Sequence, residues 1–322
     1  MTRDAKPIVI ALGGNAISPP DAEGNIPQQF ESSRRTAARL VDLVEAGYRL
    51  VITHGNGPQV GNVLRRVELA AHEIYPLPLE TCVADTQGGM GYMIAQCLNN
   101  ELRRRGIART ASAIVTCVEV DANDPAFTRP SKPIGRTHSF ERAAEYRTTF
   151  GWELSEVAPG EFRRVVPSPR PVAIVEIDLI RRLADSGELL IVAGGGGIPV
   201  ARLADGDLVG VEAVIDKDLT SGLLAREIGS ELLLIATGVE RVALEFGKPT
   251  QRWLARLSVA EAKRHMSAGQ FAAGSMLPKI EAAVEFLEGS AESARVLICE
   301  LNRMTEALAG AMGTWIVPDE PG

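Results

Sequence analysis

The chain has 322 residues, is 45% hydrophobic and 23% charged, and carries a formal net charge of −7. That length suits one large α/β domain or two, the composition is ordinary for a soluble globular chain, and the negative balance argues against a general nucleic-acid binder. Cys82, Cys97, Cys117 and Cys299 are scattered through apolar segments with no C-x-x-C pair, which reads as reduced, buried thiols rather than disulfides or a zinc site. No apolar run of signal-peptide or transmembrane length opens the chain, so the expectation is a cytoplasmic protein without membrane association.

The first predicted strand is Ile8-Val9-Ile10-Ala11-Leu12, a continuous apolar run of the kind buried on both faces of a parallel sheet. It breaks at Gly13-Gly14-Asn15-Ala16, where two glycines allow close backbone approach to a ligand or simply a tight turn. The dinucleotide pattern G-x-G-x-x-G fails because position 15 is Asn, and no Walker A sequence occurs. A helix follows over about 31–46, then strand 50–53 and a loop, His54-Gly55-Asn56-Gly57-Pro58-Gln59-Val60-Gly61, able to hold a small anion on backbone amides. His54, alone beside a turn, reads as structural rather than as a base. A long helix is predicted over 85–105. Gly88, Gly89 and Gly91 in its first turns imply close packing against a helix, a ligand or a second subunit. A strand is expected over 113–118.

From 121 to 171 the composition turns to Asp, Pro and polar residues, with proline clusters at both ends. This marks an inserted subdomain or lid within a single 1–322 domain, and Lys132 sits in it between Ser and Pro. Beyond it come a helix over 176–186, a strand over 189–193 and four glycines, 194–197. The glycines carry a high backbone-entropy cost, and contact with phosphate explains them better than flexibility. Val214-Ile215 reads as a strand end running into a helix at Asp216-Lys217-Asp218, with Asp216 as N-cap and Gly229 as the stop. A lysine there, at the sheet edge where α/β folds bind ligands, suits a phosphate. Strand 232–236 leads into Thr237-Gly238-Val239, and a helix covers 259–266. Gly274-Ser275-Met276-Leu277-Pro278-Lys279 places Pro278 at a first helical position and Lys279 at a second helix start. Strand 295–298, helix 302–308 and strand 314–317 finish the chain.

These glycine junctions and three lysines match phosphoryl transfer, which needs positioning and charge stabilisation more than covalent help. No Ser–His–Asp set and no metal-spaced His/Cys cluster is present in the sequence. An acceptor that is already an anion needs no general base. Mg²⁺ is expected on the nucleotide phosphates with few protein ligands.

The segments 11–17 (ALGGNAI), 54–61 (HGNGPQVG), 132–135 (KPIG), 165–169 (VVPSP), 194–200 (GGGGIPV), 211–218 (VEAVIDKD) and 274–283 (GSMLPKIEAA) occur in an order, over nearly the whole length, that resembles carbamate kinase within the amino-acid-kinase superfamily. The resemblance implies an open, mainly parallel sheet in an α-β-α sandwich with a protruding lid, and a homodimer. It implies reversible transfer between ATP plus carbamate and ADP plus carbamoyl phosphate, with Mg²⁺. Carried over by residue, Gly13, Gly14 and Asn15 would hold the transferred phosphoryl group, and Gly55, Asn56 and Gly57 the carbamate. Lys132 would close from the lid, Lys217 and Lys279 would neutralise charge in flight, and Asp216 would orient the lysines. The nucleotide would lie against Gly195, Gly196, Asp218, Thr237, Gly238, Val239, Met276 and Pro278. The stretch 152–161, and Arg136-Thr137-His138 after Gly135, depart from the family pattern. Two alternatives therefore stay open: a sister kinase for another small carboxylate or carbamate-like anion, and a non-catalytic nucleotide sensor.

Overall fold

The computed structural model describes residues 6–14, 17, 24–272 and 274–320. Its central sheet, among these residues, runs in the order Arg256–Ser258, Thr314–Val317, Arg295–Glu300, Leu232–Thr237, Ile8–Leu12, Leu50–His54, Leu189–Ile191, Ala111–Ala113. All neighbours are parallel except Arg295–Glu300 against Thr314–Val317. Successive side chains on a strand point to opposite faces. Val9 and Ala11 therefore join one core with Val51, Leu190 and Leu233, while Ile8, Ile10 and Leu12 join the other with Leu50, Ile52 and Leu189. The first core is covered by helices Ile177–Asp185, Lys217–Glu227, Val259–Ser267 and Leu277–Glu288, the second by Ile26–Glu45, Leu79–Arg104 and Met304–Leu308. This is the expected α-β-α sandwich.

Parallel order brings the carboxyl ends of Ile8–Leu12, Leu50–His54, Leu189–Ile191 and Leu232–Thr237 to one edge. Gly13-Gly14, Gly55-Asn56, the 194–197 glycines and Thr237-Gly238-Val239 follow those ends, so the four junctions meet. A second sheet, Leu208–Gly210, Ile198–Arg202, Cys117–Val120, Pro171–Ile174, lies beside the first. Within 121–171 the separately packed part is shorter. Strands Lys132–His138, Glu161–Val166 and Leu154–Ala158 with helix Phe140–Phe150 make a small unit around Ala143, Tyr146 and Leu154.

Several elements differ from expectation for local reasons. The helix predicted from 31 starts at Ile26, because Asn25 and Gln28 form a capping box and Pro27 fits the first turn. The loop predicted over 54–61 ends early, since helix Gly57–Ala70 begins inside it. The 85–105 helix begins at Leu79. The strand expected over 113–118 divides between the two sheets. Gln87 holds the break by accepting from the Thr116 amide at 2.7 Å and donating to the Gly194 carbonyl at 2.9 Å. Val214 and Ile215 are buried yet form no strand; the Val214 amide bonds Pro167 instead. Of the glycines in the long helix, Gly91 packs against Ala113 of a strand, while Gly88 and Gly89 face open space.

The 194–197 glycines are dictated by packing. A methyl at 194 would strike His54, at 195 Asn56, at 196 the Ile215 carbonyl and at 197 Val118. Gly196 also has φ +95°, as Gly206 has φ +98° with nothing within 4 Å. Gly206→Ala should therefore cost about 1–2 kcal/mol of backbone strain alone. Gly196→Ala adds an overpacking term, for about 3–5 kcal/mol. Urea unfolding midpoints of the two variants measure the difference, and equal losses would refute the packing account.

Candidate active site

Helix Lys217–Glu227 builds the site from its first turn. Asp216 is its N-cap, as predicted: φ is −73° and Oδ1 accepts from the Asp218 amide at 2.8 Å and the Leu219 amide at 3.4 Å. Its other oxygen meets Lys132 Nζ of the small unit at 3.3 Å, and Lys132 also donates to the Ile215 carbonyl at 3.5 Å. Asp216 thus ties one lysine, from across the chain, to the helix start.

The other two lysines are held by Asp218, which was expected on the nucleotide side. Lys279 Nζ donates to Asp218 Oδ2 and to the Ser275 carbonyl, both at 3.0 Å. Lys217 Nζ lies 2.7 Å from Asp218 Oδ1. Both atoms are buried, and neither has a further hydrogen-bond partner among the described residues. An ammonium has three donors, so beyond this contact Lys217 keeps donors for a ligand. Burial works against the Asp218 carboxylate, but Lys217 and Lys279 together outweigh it and hold its pKa down at about 2. Burial also pulls Lys217 below the ordinary lysine value, against the opposing pull of Asp218. Pro278 occupies the second helical position, one later than predicted, and Lys279 follows in the first turn of Leu277–Glu288.

Two cavities of about 180 Å³ each meet this row. Gly55, Asn56, Gly57, Lys132, Gly195, Asp216, Lys217 and Asp218 line the first, with Val60, Ile134 and Val214 as apolar walls. Thr237, Val239, Ala243, Phe246, Phe271, Met276 and Lys279 line the second, which is mostly apolar. Asn56 is set by a bond from Nδ2 to Thr86 Oγ1 at 2.9 Å. Gly14 lies beside Gly55 and Pro58, and Gly13 beside Ala236 and Thr237, at the sheet edge. Gly196, Gly238 and Pro278 are close by but line neither cavity; Asn15 falls outside the described residues. A wider cleft of about 890 Å³ lies between the small unit and the body. Two of its charges are already engaged: Arg164 stacks 4.4 Å from the Trp152 ring centroid and reaches Glu212 at 3.1 Å, and Glu212 accepts the Leu79 amide at 2.8 Å.

Arg163 was missed by sequence reasoning, as were Arg241, Phe246, Gln270 and Phe271 of the second cavity. The usable signal for Arg163 was strand alternation, which sends it and Arg164 to opposite faces. No group of three or more His, Cys, Asp or Glu among the described residues stands placed for a metal ion. The four thiols are unpaired, with Cys82, Cys97 and Cys299 buried.

His54 is fully buried, its Nδ1 3.2 Å from the Gly55 carbonyl, and burial lowers its pKa from 6.5 to about 4. The ring is neutral at pH 7. Above pH 6.5 folded and unfolded chains agree; between 6.5 and about 4 only the unfolded chain takes the proton, so stability falls as the pH falls. The loss approaches about 3 kcal/mol, from about 1.4 kcal/mol per pKa unit. His54→Asn should lose about 2–3 kcal/mol less than wild type between pH 7 and 4.5 in urea titrations; identical slopes would exclude a buried neutral imidazole.

The sequence profile of the amino acid kinase family matches residues 6–298. A carbamate kinase from Thermococcus kodakarensis is 45% identical over 316 residues, spanning 97% of this chain and 99% of that protein. The carbamate kinase-like protein YahI of Escherichia coli is 47% identical, spanning 96% and 98%. Among solved structures, carbamate kinase from Giardia lamblia bound to AMP-PNP superimposes with a TM-score of 0.92 at 38% identity, covering 98% of this chain and 100% of that one.

Proposed function

The chain belongs to the amino acid kinase family, and from that premise we propose that it is a carbamate kinase, moving a phosphoryl group between ATP plus carbamate and ADP plus carbamoyl phosphate. The observation that carries this reading is the row Lys217–Asp218–Lys279 between two small cavities. In it two ammonium groups share one carboxylate, which leaves positive charge for phosphate oxygens. The apolar cavity suits a nucleotide base, and the first, lined by Asn56, Lys132, Asp216, Lys217 and Asp218, suits a small anionic acceptor.

In the synthesis direction an oxygen of the ADP β-phosphate attacks phosphorus, and the bond from phosphorus to the carbamate oxygen breaks. Carbamate leaves as an anion, so no proton moves and no general base is required. Lys217 and Lys279 neutralise the equatorial oxygens as charge spreads over them, and Lys132 adds its charge from the small unit. Asp218 aims the first two lysines, and Asp216 the third. The Gly13, Gly14, Asn15 loop would take the transferred group and Gly55, Asn56, Gly57 the acceptor. Thr237, Gly238, Val239 and Met276 would border the nucleotide, with Gly196 and Pro278 fixing the backbone nearby, whereas Gly195, expected on the nucleotide, lines the acceptor cavity. Mg²⁺ would travel on the nucleotide phosphates, largely hydrated, since the described residues offer no carboxylate cage.

The small unit at 132–166, within the expected 121–171 stretch, would then act as the lid. A homodimer is part of the proposal, through the face where Tyr92 and Val115, each 59% exposed, share a groove beside Gly88. No helix among the described residues is long and apolar enough to cross a membrane. The unpaired thiols suit the reducing conditions of a cytoplasm. Because YahI, named only as carbamate kinase-like, is as similar as the carbamate kinases, a sister enzyme for another small carboxyl-type anion is the second reading.

ATP formation from ADP, Mg²⁺ and carbamoyl phosphate tests the proposal. Wild type should turn over, and Lys217→Ala and Lys279→Ala should each lose about 10²–10³ in kcat, the usual loss for one transition-state charge donor. A folded wild type that binds ADP without making ATP would point to the second reading, and unimpaired lysine variants would refute their assigned roles.

A further inference from the structure

Among the described residues, one cation at the acceptor cavity has no counter-ion. Arg163, on strand Glu161–Val166, lines that cavity with Lys132, Asn56 and Lys217. Its Nη2 donates to the Gly135 carbonyl at 2.8 Å, while its Nε is buried with no acceptor among the described residues. Burial pulls its pKa below the ordinary arginine value, and no neighbouring carboxylate restores it. Guanidinium keeps its proton through such a shift, so the group stays charged. The next residue is the contrast: Arg164, on the other strand face, is spent on Glu212 and Trp152.

A buried donor on a charged group is strongly unfavourable unless something accepts from it. Arg163 is also held in place. The Gly135 carbonyl that anchors it sits against helix Gly57–Ala70, where a Cβ on Gly61 would lie 3.1 Å from Gly135 Cα. The anchor and the helix that starts at the cavity therefore fix where the guanidinium reaches.

We propose that Arg163 binds the carboxyl end of the acceptor, its Nε–H donating to the oxygen that does not carry the transferred phosphoryl group. A planar guanidinium matches a carboxylate, whereas the three lysines are point charges suited to phosphate. In carbamoyl phosphate the accepting atom is the carbonyl oxygen. As the bond from phosphorus to the bridging oxygen breaks, the negative charge is shared by both carboxyl oxygens, so this hydrogen bond strengthens toward the transition state. Alcohol and amine acceptors lack the second oxygen, would leave Nε unpaired, and are selected against. The assignment rests on the reading of the chain as a phosphotransferase with a carboxyl-type acceptor.

Arg163→Met and Arg163→Lys are compared with wild type in ATP formation. Arg163→Met should lose about 10- to 100-fold in kcat/KM for carbamoyl phosphate, the effect of one hydrogen bond to a charged group. The KM for ADP and the unfolding midpoint should stay within about twofold and about 2 °C of wild type, a split that a general structural defect would not produce. Arg163→Lys should recover only part of the loss, because charge returns without the planar donors. A carbamoyl phosphate kcat/KM within threefold of wild type, or a parallel rise in the KM for ADP, overturns the proposal. If wild type makes no ATP, the functional reading fails separately, and acetate and bicarbonate are titrated calorimetrically into wild type and Arg163→Met with Mg·ADP present. Binding lost only in the variant sustains Arg163 as the carboxyl-binding group; equal binding, or none to wild type, overturns it.

Discussion

Asp218 must satisfy two ammonium groups at once, one on its own helix and one 61 residues later on Leu277–Glu288. That demand sets how closely the two helices pack. Gly222 faces Ala282, where even a methyl group would lie 3.0 Å from the Ala282 carbonyl oxygen, so the helices meet with almost nothing between them. Only at that separation does a carboxylate on one helix reach a lysine on the other. Leaving any one of the three buried charges alone would be costly, which ties the integrity of the fold to the integrity of the site.

The backbone around the row is held by equally close contacts. The 194–197 glycines let the strand ends carrying His54 and Asn56 approach the segment that carries Ile215. Thr220, in the first turn after Asp216, closes the arrangement by donating to the Gly196 carbonyl at 2.9 Å. His54 must be neutral to fit there, since an imidazolium would be a further buried cation near Lys217. Protein packing, more than ligand contact, explains why this run has no side chains.

What could be read from the sequence was what depends on neighbours along the chain. An apolar run ending in glycines announced the sheet edge, and Asp216 announced a helix start, because a cap is chemistry over three residues. The role of Asp218 was hidden because its second partner lies on another helix. The reason for the glycine run was hidden because its contacts, His54, Asn56, Val118 and Ile215, come from four separate places. Val214-Ile215 looked like a strand because burial alone gives an apolar run, whereas strand formation needs a partner edge that the neighbouring Pro167 replaced. Asp216 was expected to orient all the lysines; it holds Lys132, and the labour divides between the two acids because each has a single pair of oxygens.

The stacked guanidinium of Arg164 gives the molecule an optical readout. The chain has three tryptophans, Trp152, Trp253 and Trp315. Trp253 is half exposed, and Trp315 belongs to a strand of the central sheet. Trp152 alone lies on the seam, its ring covered by a cation that is itself fastened to Glu212 on the body. Any shift in how the small unit is seated would change the field over that indole and hence the colour and yield of its emission. Ultraviolet light can therefore follow the seam in the unlabelled protein.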